Sequence, residues 1–177
     1  MRLIRRAGLA VSPWRNGAGR KADIVTGAGW LVGFAFLDAD APFSDYTGHD
    51  RTITLVEGPG FTLSGDGRDL AVTEPGQPAP FDGGWIVDCR IHGAPCIVLN
   101  AMTERAHWRH KVSVHRGTTA IAADPGTAVA DVLVVLRGEL QVGDLVAGVQ
   151  DSIRLAGPVV AEPSAESLVC RVRIHAA

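Results

Sequence analysis

Residues 42–63, PFSDYTGHDRTITLVEGPGFTL, contain the strand and the turn that decide the fold. Apolar and polar side chains alternate after Arg51, and a Gly-Pro-Gly turn follows at positions 58–60. Because side chains alternate between the two faces of a strand, Arg51 shares a face with Ile53 and Leu55. A guanidinium on a core-facing surface needs an anion or a set of acceptors. The stretch therefore predicts a β-strand whose inward Arg51 meets either a carboxylate of the chain itself or a ligand.

Short β-rich segments recur through the rest of the chain, separated by turn signals drawn from 21 glycines and 10 prolines. Many short strands at regular spacing are typical of an all-β sandwich or barrel. The sequence offers one short helix candidate, near Asn100–Trp108. The longer predicted strands are Trp30–Leu37, Thr52–Val56, Trp85–Ile91, Lys111–His115, Val129–Leu136 and Ser167–Ile174.

Composition excludes several classes of protein. The net charge of −2 and the lack of a basic patch argue against nucleic-acid binding. The three cysteines have no CxxC spacing, so buried free thiols in a reducing compartment are expected rather than disulfides. We find no signal-peptide pattern and no apolar run of membrane-spanning length. The expectation is a cytoplasmic protein with no membrane partner.

Two parts of the chain resemble each other weakly. Thr52–Gly58, followed by Phe61–Leu63, matches the pattern of Val132–Gly138, followed by Leu140–Val142. In each case an apolar strand ends at a charged residue and a glycine, and a short return strand begins. This strand–turn–strand arrangement is that of double-stranded β-helix barrels, and two copies in one chain suggest a bicupin.

The chain carries a set of separated motifs in this order: Trp14–Gly19 with Asp23-Ile24, Pro42–Ser44 with Gly48–Arg51, Leu55–Gly58 with Gly60, Pro80–Gly83, and Leu99–Met102 with Arg105. In this order and spacing, the motifs resemble those of the HutD/Ves family. The likeness runs from about Val11 to His115 and is looser in the last third of the chain. The sequence departs from the family pattern in two places: Lys21-Ala22 replaces Thr-Arg, and Val98 replaces an Asp.

The resemblance implies an all-β bicupin of two double-stranded β-helix (jelly-roll) barrels. We expect a ligand-binding barrel in residues 1–115 and a second barrel in residues 116–177, with strand exchange between the halves. The family has no established catalysis; one branch is linked to histidine utilisation, the other to stress-related expression. In the first branch, N-formylglutamate is the proposed ligand. The implied function is therefore metal-free, regulatory binding of a small anionic metabolite.

Six residues are candidates for the ligand site. Trp14 and Asn16 are expected to wall a pocket, and Arg51 to anchor a carboxylate through its planar fork. Asn100 is expected to fix the orientation of the ligand's polar groups. Asp50 is expected to orient a neighbour, and Arg105 to supply a second cation. The competing interpretation makes Trp14 a core residue, Asn16 and Asn100 turn caps, and Arg51 half of an internal ion pair.

Metal and cofactor chemistry are not indicated by the sequence. His107, His110 and His115 are close in sequence, but no His-x-His occurs, and the common cupin metal signature requires it. We therefore predict no metal and no cofactor. The alternative function is a cupin-type isomerase or hydrolase acting on a carbohydrate or an amide. A third interpretation is a homodimer in which open barrel edges pair between subunits.

Overall fold

β-Strands make up nearly all the regular structure of the protein, described here from a computed structural model of residues 1–177. The exception is one 3-10 turn at Arg6–Gly8. The all-β prediction is confirmed. In chain order the strands are β1 (Arg2–Ile4), β2 (Ser12–Pro13), β3 (Arg20–Gly27), β4 (Trp30–Leu37), β5 (Ala41–Pro42), β6 (His49–Glu57), β7 (Phe61–Gly65), β8 (Arg68–Val72), β9 (Pro78–Asp82), β10 (Asp88–Ile91), β11 (Cys96–Glu104), β12 (Trp108–Arg116), β13 (Ile121–Ala123), β14 (Ala130–Arg137), β15 (Leu140–Val142), β16 (Leu145–Ala147), β17 (Ser152–Arg154), β18 (Val159–Pro163) and β19 (Leu168–Ala176).

The chain divides into two compact units. The first unit comprises Ala10–His107, and the second comprises Met1–Leu9 with Trp108–Ala177. The division falls earlier than the expected boundary at 115/116, because β12 pairs along its whole length with β19. The N-terminal residues join the second unit because β1 pairs with β17.

The first unit is built from two antiparallel sheets. One has the strand order β2-β3-β4-β11-β6-β9, and the other has the order β5-β10-β7-β8. Both sheets contribute to one apolar core, whose fully buried side chains include Leu55 and Phe61. Alternation along β6 sends Ile53 and Leu55 into this core, as the sequence pattern predicts.

The second unit repeats this two-sheet plan with its own core. Its sheets have the orders β1-β17-β14-β19-β12 and β13-β18-β15-β16. All of β14 from Ala130 to Leu136 is buried, and Val132–Leu136 is the continuous apolar run that the sequence predicts to pack on both faces. Leu133 and Val135 lie in the core of this unit.

The weak sequence repeat corresponds to matching local structure. The pairing of β6 with β11 skips Val56, and the pairing of β14 with β19 skips Leu136, so both central strands are bulged near their ends. A glycine with positive φ follows each bulge: +110° at Gly58 and +75° at Gly138. Return strands β7 and β15 then begin.

The helix expected near Asn100–Trp108 is absent, and that prediction is wrong. Cys96–Glu104 forms β11, which pairs with β4 on one side and with β6 on the other. These two ladders supply the backbone hydrogen bonds that a helix would have provided locally. A tight turn follows, in which His107 N donates to Glu104 O over 3.1 Å.

The three cysteines are buried free thiols, as predicted from their spacing. Burial raises the pKa of Cys89 and of Cys170 to about 12. The structure contains no helix with the length and apolar character needed to cross a membrane.

Candidate functional site

A small cavity lies on the core-facing side of the larger sheet of the first unit. We call it the inner cavity; its volume is about 40 Å³. Strands β3, β4, β6 and β11 form its floor, and the segment from Phe43 to Tyr46 forms part of its wall. Its lining comprises Trp14, Lys21, Asp23, Leu31, Gly33, Phe34, Ala35, Phe43, Ser44, Tyr46, Arg51, Ile53 and Asn100.

Strand register brings Arg51 and Asn100 onto the same face. Arg51 on β6 lies opposite Met102 on β11, and Asn100 lies opposite Ile53. Residues directly opposite one another share a face of an antiparallel sheet, and alternate residues along a strand do so as well. Arg51 and Asn100 are therefore diagonal neighbours that both point into the inner cavity.

Gly33 creates space at the centre of this floor. It lies on β4 between Asn100 on β11 and Asp23 on β3. A Cβ at this position would lie 2.8 Å from Ala22 O and 3.2 Å from Asp23 Oδ1. Glycine is thus the residue that lets β3 lie close to β4 while leaving room above the strand.

Arg51 is a buried cation without a counter-ion. The residue is 7% exposed, and none of the ion pairs in the structure includes it. Three aromatic rings surround the guanidinium: its Cζ lies 5.2 Å from the centroid of Phe43, 5.3 Å from Tyr46 and 4.8 Å from Phe81. Burial lowers the pKa of Arg51 to about 10, and the nearby Tyr46 acts in the opposite direction.

Three buried polar atoms in this lining have no hydrogen-bond partner. They are Arg51 Nε, Asn100 Oδ1 and Ser44 Oγ. Buried polar atoms in proteins are almost always paired, so three such atoms around one cavity call for an explanation. Together they offer one charge-assisted donor, one acceptor and one hydroxyl that can act as either.

Lys21 and Asp23 form the edge of the inner cavity on β3. Their side chains lie on the same face, two residues apart, and Lys21 Nζ lies 2.7 Å from Asp23 Oδ2. The positive charge of Lys21 and the negative charge of Asp23 cancel each other. Arg51 is therefore the charged residue of the lining that has no partner of opposite charge. A bulge in the pairing of β3 with β4 follows directly after Asp23.

Trp14 lies in the lining, whereas Asn16 does not. The indole packs edge-on against Phe43 with ring centroids 5.4 Å apart, and its Nε1 donates to Arg20 O over 2.7 Å. The side chain of Asn16 instead holds the loop that follows it and joins this loop to β5: Oδ1 accepts from Ala18 N, and Nδ2 donates to Pro42 O.

A wider groove lies beside the inner cavity. We call it the outer groove; its volume is about 460 Å³. Ser44 and Tyr46 line both spaces, so these two residues separate the small cavity from the open groove. The remaining residues of the outer groove are Arg15, Asn16, Asp45, Thr47 and His49.

Asp50 and Arg105 pair with each other at the surface. Arg105 Nε donates to Asp50 Oδ1 over 2.9 Å, and its Nη2 donates to Asp82 Oδ2 over 2.9 Å. The hydrogen bonds that Arg105 donates to both carboxylates raise its pKa. Neither Asp50 nor Arg105 belongs to the lining of the inner cavity.

The histidines do not form a metal centre. No group of three or more His, Cys, Asp or Glu side chains has an arrangement that would hold a metal ion. His107 lies in the turn before β12, while His110 and His115 lie on that strand. Burial, with a smaller contribution from Arg171, lowers the pKa of His115.

The second unit carries its own buried arginine, but this one is neutralised by the chain. Arg171 Nε donates to Asp131 Oδ1 over 2.9 Å, and Asp131 is 1% exposed. Arg171 also donates to Asp124 O over 3.1 Å. Hydrogen bonding to Asp131 raises the pKa of Arg171, the opposite direction to the shift of Arg51.

The lining residues that the sequence-based candidates did not include are ten in number, among them Lys21, Asp23, Gly33, Ser44 and Tyr46. A signal for two of them was present, because Lys21 and Asp23 alternate with Ala22 and Ile24 as the residues of a strand do. Ser44 and Tyr46 lie outside regular structure, and their position depends on Phe43 N donating to Val87 O, a long-range contact.

Comparisons with known proteins agree on one family. The family model described as HutD matches residues 6–172. An uncharacterized 21.2 kDa protein in the hutC 3′ region of Pseudomonas putida is 27% identical over 169 residues, covering 89% of this chain and 87% of that protein. Protein Ves of Citrobacter koseri is 30% identical over 143 residues, covering 77% of this chain and 73% of that protein.

Solved structures of similar proteins show the same fold. HutD from Pseudomonas fluorescens SBW25, solved in a formate condition, has a TM-score of 0.84 at 22% identity, covering 99% of this chain and 98% of that one. A cupin 2 conserved barrel domain protein from Leptotrichia buccalis has a TM-score of 0.62 at 8% identity, covering 98% of this chain and all of that one. At these identities the likeness concerns the fold, which is cupin-like.

Proposed function

Because this chain belongs to the HutD family, we propose that it binds a small organic carboxylate in the inner cavity and acts as a metabolite-binding, regulatory protein. One observation carries the proposal: the buried guanidinium of Arg51 faces a cavity and has no anion of the chain beside it. A carboxylate would accept two parallel hydrogen bonds from the planar guanidinium of Arg51.

The size of the inner cavity limits how much of a ligand it holds. A volume of about 40 Å³ gives room for about three water-sized groups, enough for a single carboxylate. The rest of a larger ligand would extend past Ser44 and Tyr46 into the outer groove. A ligand such as N-formylglutamate would thus bind through one carboxylate, with its remaining atoms in the wider space.

The biological role is proposed from the family. The P. putida relative is named for its place in the hutC 3′ region, which fits a role in histidine utilisation. We propose that the protein binds an anionic metabolite of such a pathway and so limits its free concentration. A bicupin with the ligand site in the first unit is the arrangement that we propose for this task.

Isothermal titration calorimetry tests the binding proposal. Formate, acetate and N-formylglutamate are titrated into the wild-type protein and into Arg51→Met. We expect one site per chain, and a loss of affinity of about 30-fold or more in the variant, since the charged partner is removed from a buried pair. Arg90→Ala is the matched control, because Arg90 is exposed and lies outside both spaces. No binding of any of the three acids to wild type, or equal affinity in Arg51→Met, rejects the proposal.

A further inference from the structure

Strand β12 is the longest free sheet edge of the protein. It has nine residues and pairs with β19 alone, so it ends the five-stranded sheet of the second unit. The other strands that end a sheet have two to five residues. The pairing with β19 runs through nine residue pairs without a bulge, and none of the residues of β12 is buried. The edge therefore presents a continuous row of backbone N–H and C=O groups to any strand that approaches it.

Basic side chains gather on one face beside this edge. Lys111 lies opposite Arg173, and Arg109 lies opposite His175. Residues opposite one another share a face, as do alternate residues along a strand, so these four side chains form one cluster, which we call the basic edge. Arg109 and Lys111 are exposed, and Arg173 and His175 are half-buried. The two strands lie far apart in the chain, which is why the sequence does not display this cluster.

The basic edge has no counter-charge within the chain. None of the ion pairs in the structure includes its four members. Asp131, which lies opposite Arg173 on β14, is already bonded to Arg171. Asp124 also lies near Arg171, and its Oδ1 accepts from a backbone N–H of its own turn. The charge of the basic edge is therefore left for an anion from outside the chain.

Apolar side chains occupy the other face of β12. Val112 and Val114 alternate with Lys111 and Ser113, and both valines are half-buried. A strand added at this edge would meet basic side chains on one face and valines on the other. The segment that fits has acidic residues alternating with apolar ones. Strand addition of this kind gains affinity from main-chain hydrogen bonds and specificity from alternate side chains.

We propose that the free edge of β12 binds an extended acidic segment of a partner protein, which joins the five-stranded sheet as a further strand. Charge argues against a second copy of this chain, because β12 carries basic residues and no acidic one, and two such strands side by side repel. A nucleic acid would leave the backbone groups of the edge without a strand partner. The basic edge also includes no Phe, Tyr or Trp on which bases could stack.

Fluorescence anisotropy with labelled peptides tests the proposal on the full-length protein at low ionic strength. The probe is fluorescein-Val-Thr-Val-Glu-Val-Glu-amide, whose glutamates come opposite Lys111 and Arg109 when its valines meet Val114 and Val112 in an antiparallel pair. One control peptide has lysines in place of the glutamates, and the other has the same composition with the glutamates adjacent. We expect the probe to bind about tenfold tighter than the lysine peptide and about threefold tighter than the rearranged one, since opposite charges across a strand pair attract.

The variant Arg109→Glu with Lys111→Glu tests the residue assignment. It should reverse the preference, so that the lysine peptide binds tighter than the probe, while Arg90→Ala, at an exposed position of the first unit, keeps the preference of wild type. If the double variant does not fold, the wild-type comparison decides by itself. An unchanged preference in the folded variant overturns the proposal. Equal binding of the three peptides or binding of none of them does so as well.

Two further measurements decide between the occupants of this edge. Tighter binding of single-stranded DNA than of the probe would make the basic edge a nucleic-acid site and overturn the proposal. A dimer in sedimentation velocity that Arg109→Glu with Lys111→Glu abolishes would make a second copy the occupant, with the same consequence. We expect neither result.

Discussion

Arg51 and Asp131 occupy equivalent positions on the central strands of their units and carry opposite charges. Arg51 on β6 directly precedes the segment Thr52–Gly58, and Asp131 on β14 directly precedes the matching segment Val132–Gly138. In the second unit Asp131 meets Arg171, so the charges cancel within the chain. In the first unit, the position that corresponds to Arg171 is Asn100, which lies opposite Ile53 as Arg171 lies opposite Leu133. The first unit thus leaves its charge without a partner in the chain, whereas the second unit neutralises its own.

Replacing Arg51 with methionine is expected to raise stability while removing binding. Lowering the pKa of an arginine from 12.5 to about 10 corresponds to on the order of 3 kcal/mol of lost hydration. At about 0.5–1 kcal/mol each, contacts with the three rings offset roughly 2 kcal/mol of this, so a cost on the order of 1 kcal/mol remains. We predict a gain in unfolding free energy of about 1 kcal/mol, which raises Tm by about 3 °C in differential scanning calorimetry. A clear fall in Tm would mean that the guanidinium stabilises the unliganded fold.

Removing the arginine of the buried ion pair in the second unit is expected to lower the stability of the protein, whereas removing Arg51 raises it. Removing Arg171 alone leaves Asp131 charged at 1% exposure, and breaking such a pair costs about 3–5 kcal/mol. The double variant Asp131→Leu with Arg171→Met removes both charges and should recover most of that loss. Urea unfolding of the two variants checks this. Equal stability of the single and double variants would contradict the assignment of the cost to an unpaired charge.

Asp151 is expected to make the second unit sensitive to acid. Burial acts to raise its pKa, but hydrogen bonds from Arg6 N, the Arg5 guanidinium and Gly148 N outweigh burial and lower the pKa below 3.8. A carboxyl with a depressed pKa in the folded state contributes stability above pH 3.8 that is lost as the pH falls through the folded-state pKa. Wild type should therefore exceed Asp151→Asn in stability at pH 7, and the difference should shrink at about pH 3. A difference that is the same at both pH values, measured by urea unfolding, would contradict the role of this carboxylate.

Arg105→Ala is expected to leave ligand affinity unchanged. Arg105 is 48% exposed, pairs with Asp50 and Asp82 at the surface, and lies outside the inner cavity. Exposed ion pairs contribute little to stability, so Tm should change only slightly. Calorimetry with acetate checks the affinity, and a loss comparable to that of Arg51→Met would place Arg105 in the ligand site after all.

Local pattern was enough to predict much of the fold. The predicted strand Trp30–Leu37 matches β4 residue for residue, because β-rich residues between turn signals leave few alternatives. Arg51 points inward as the alternation with Ile53 and Leu55 predicts. These features depend on neighbours in sequence, which a sequence displays directly.

The features that sequence reasoning missed depend on residues far apart in the chain. β11 continues through Asn100 and Met102 because β4 and β6 flank it, and neither contact is visible in the local pattern. The partners of Arg105 lie 55 and 23 residues away, so the sequence alone did not show which carboxylates it pairs with. The lack of a counter-ion at Arg51 likewise depends on every element of its surroundings.

The central claim is that the Arg51 guanidinium binds an external carboxylate by donating hydrogen bonds to it, and the Arg51 Nε–H resonance reports on this most directly. In a ¹H–¹⁵N spectrum, the signal is assigned by its absence from Arg51→Met, and acetate is then titrated into the wild-type protein. We predict a large downfield proton shift that saturates with the affinity measured by calorimetry, because Nε gains the hydrogen bond that it lacks. An Nε–H signal that stays in place while acetate binds, or shows no response at saturating acetate, contradicts the account.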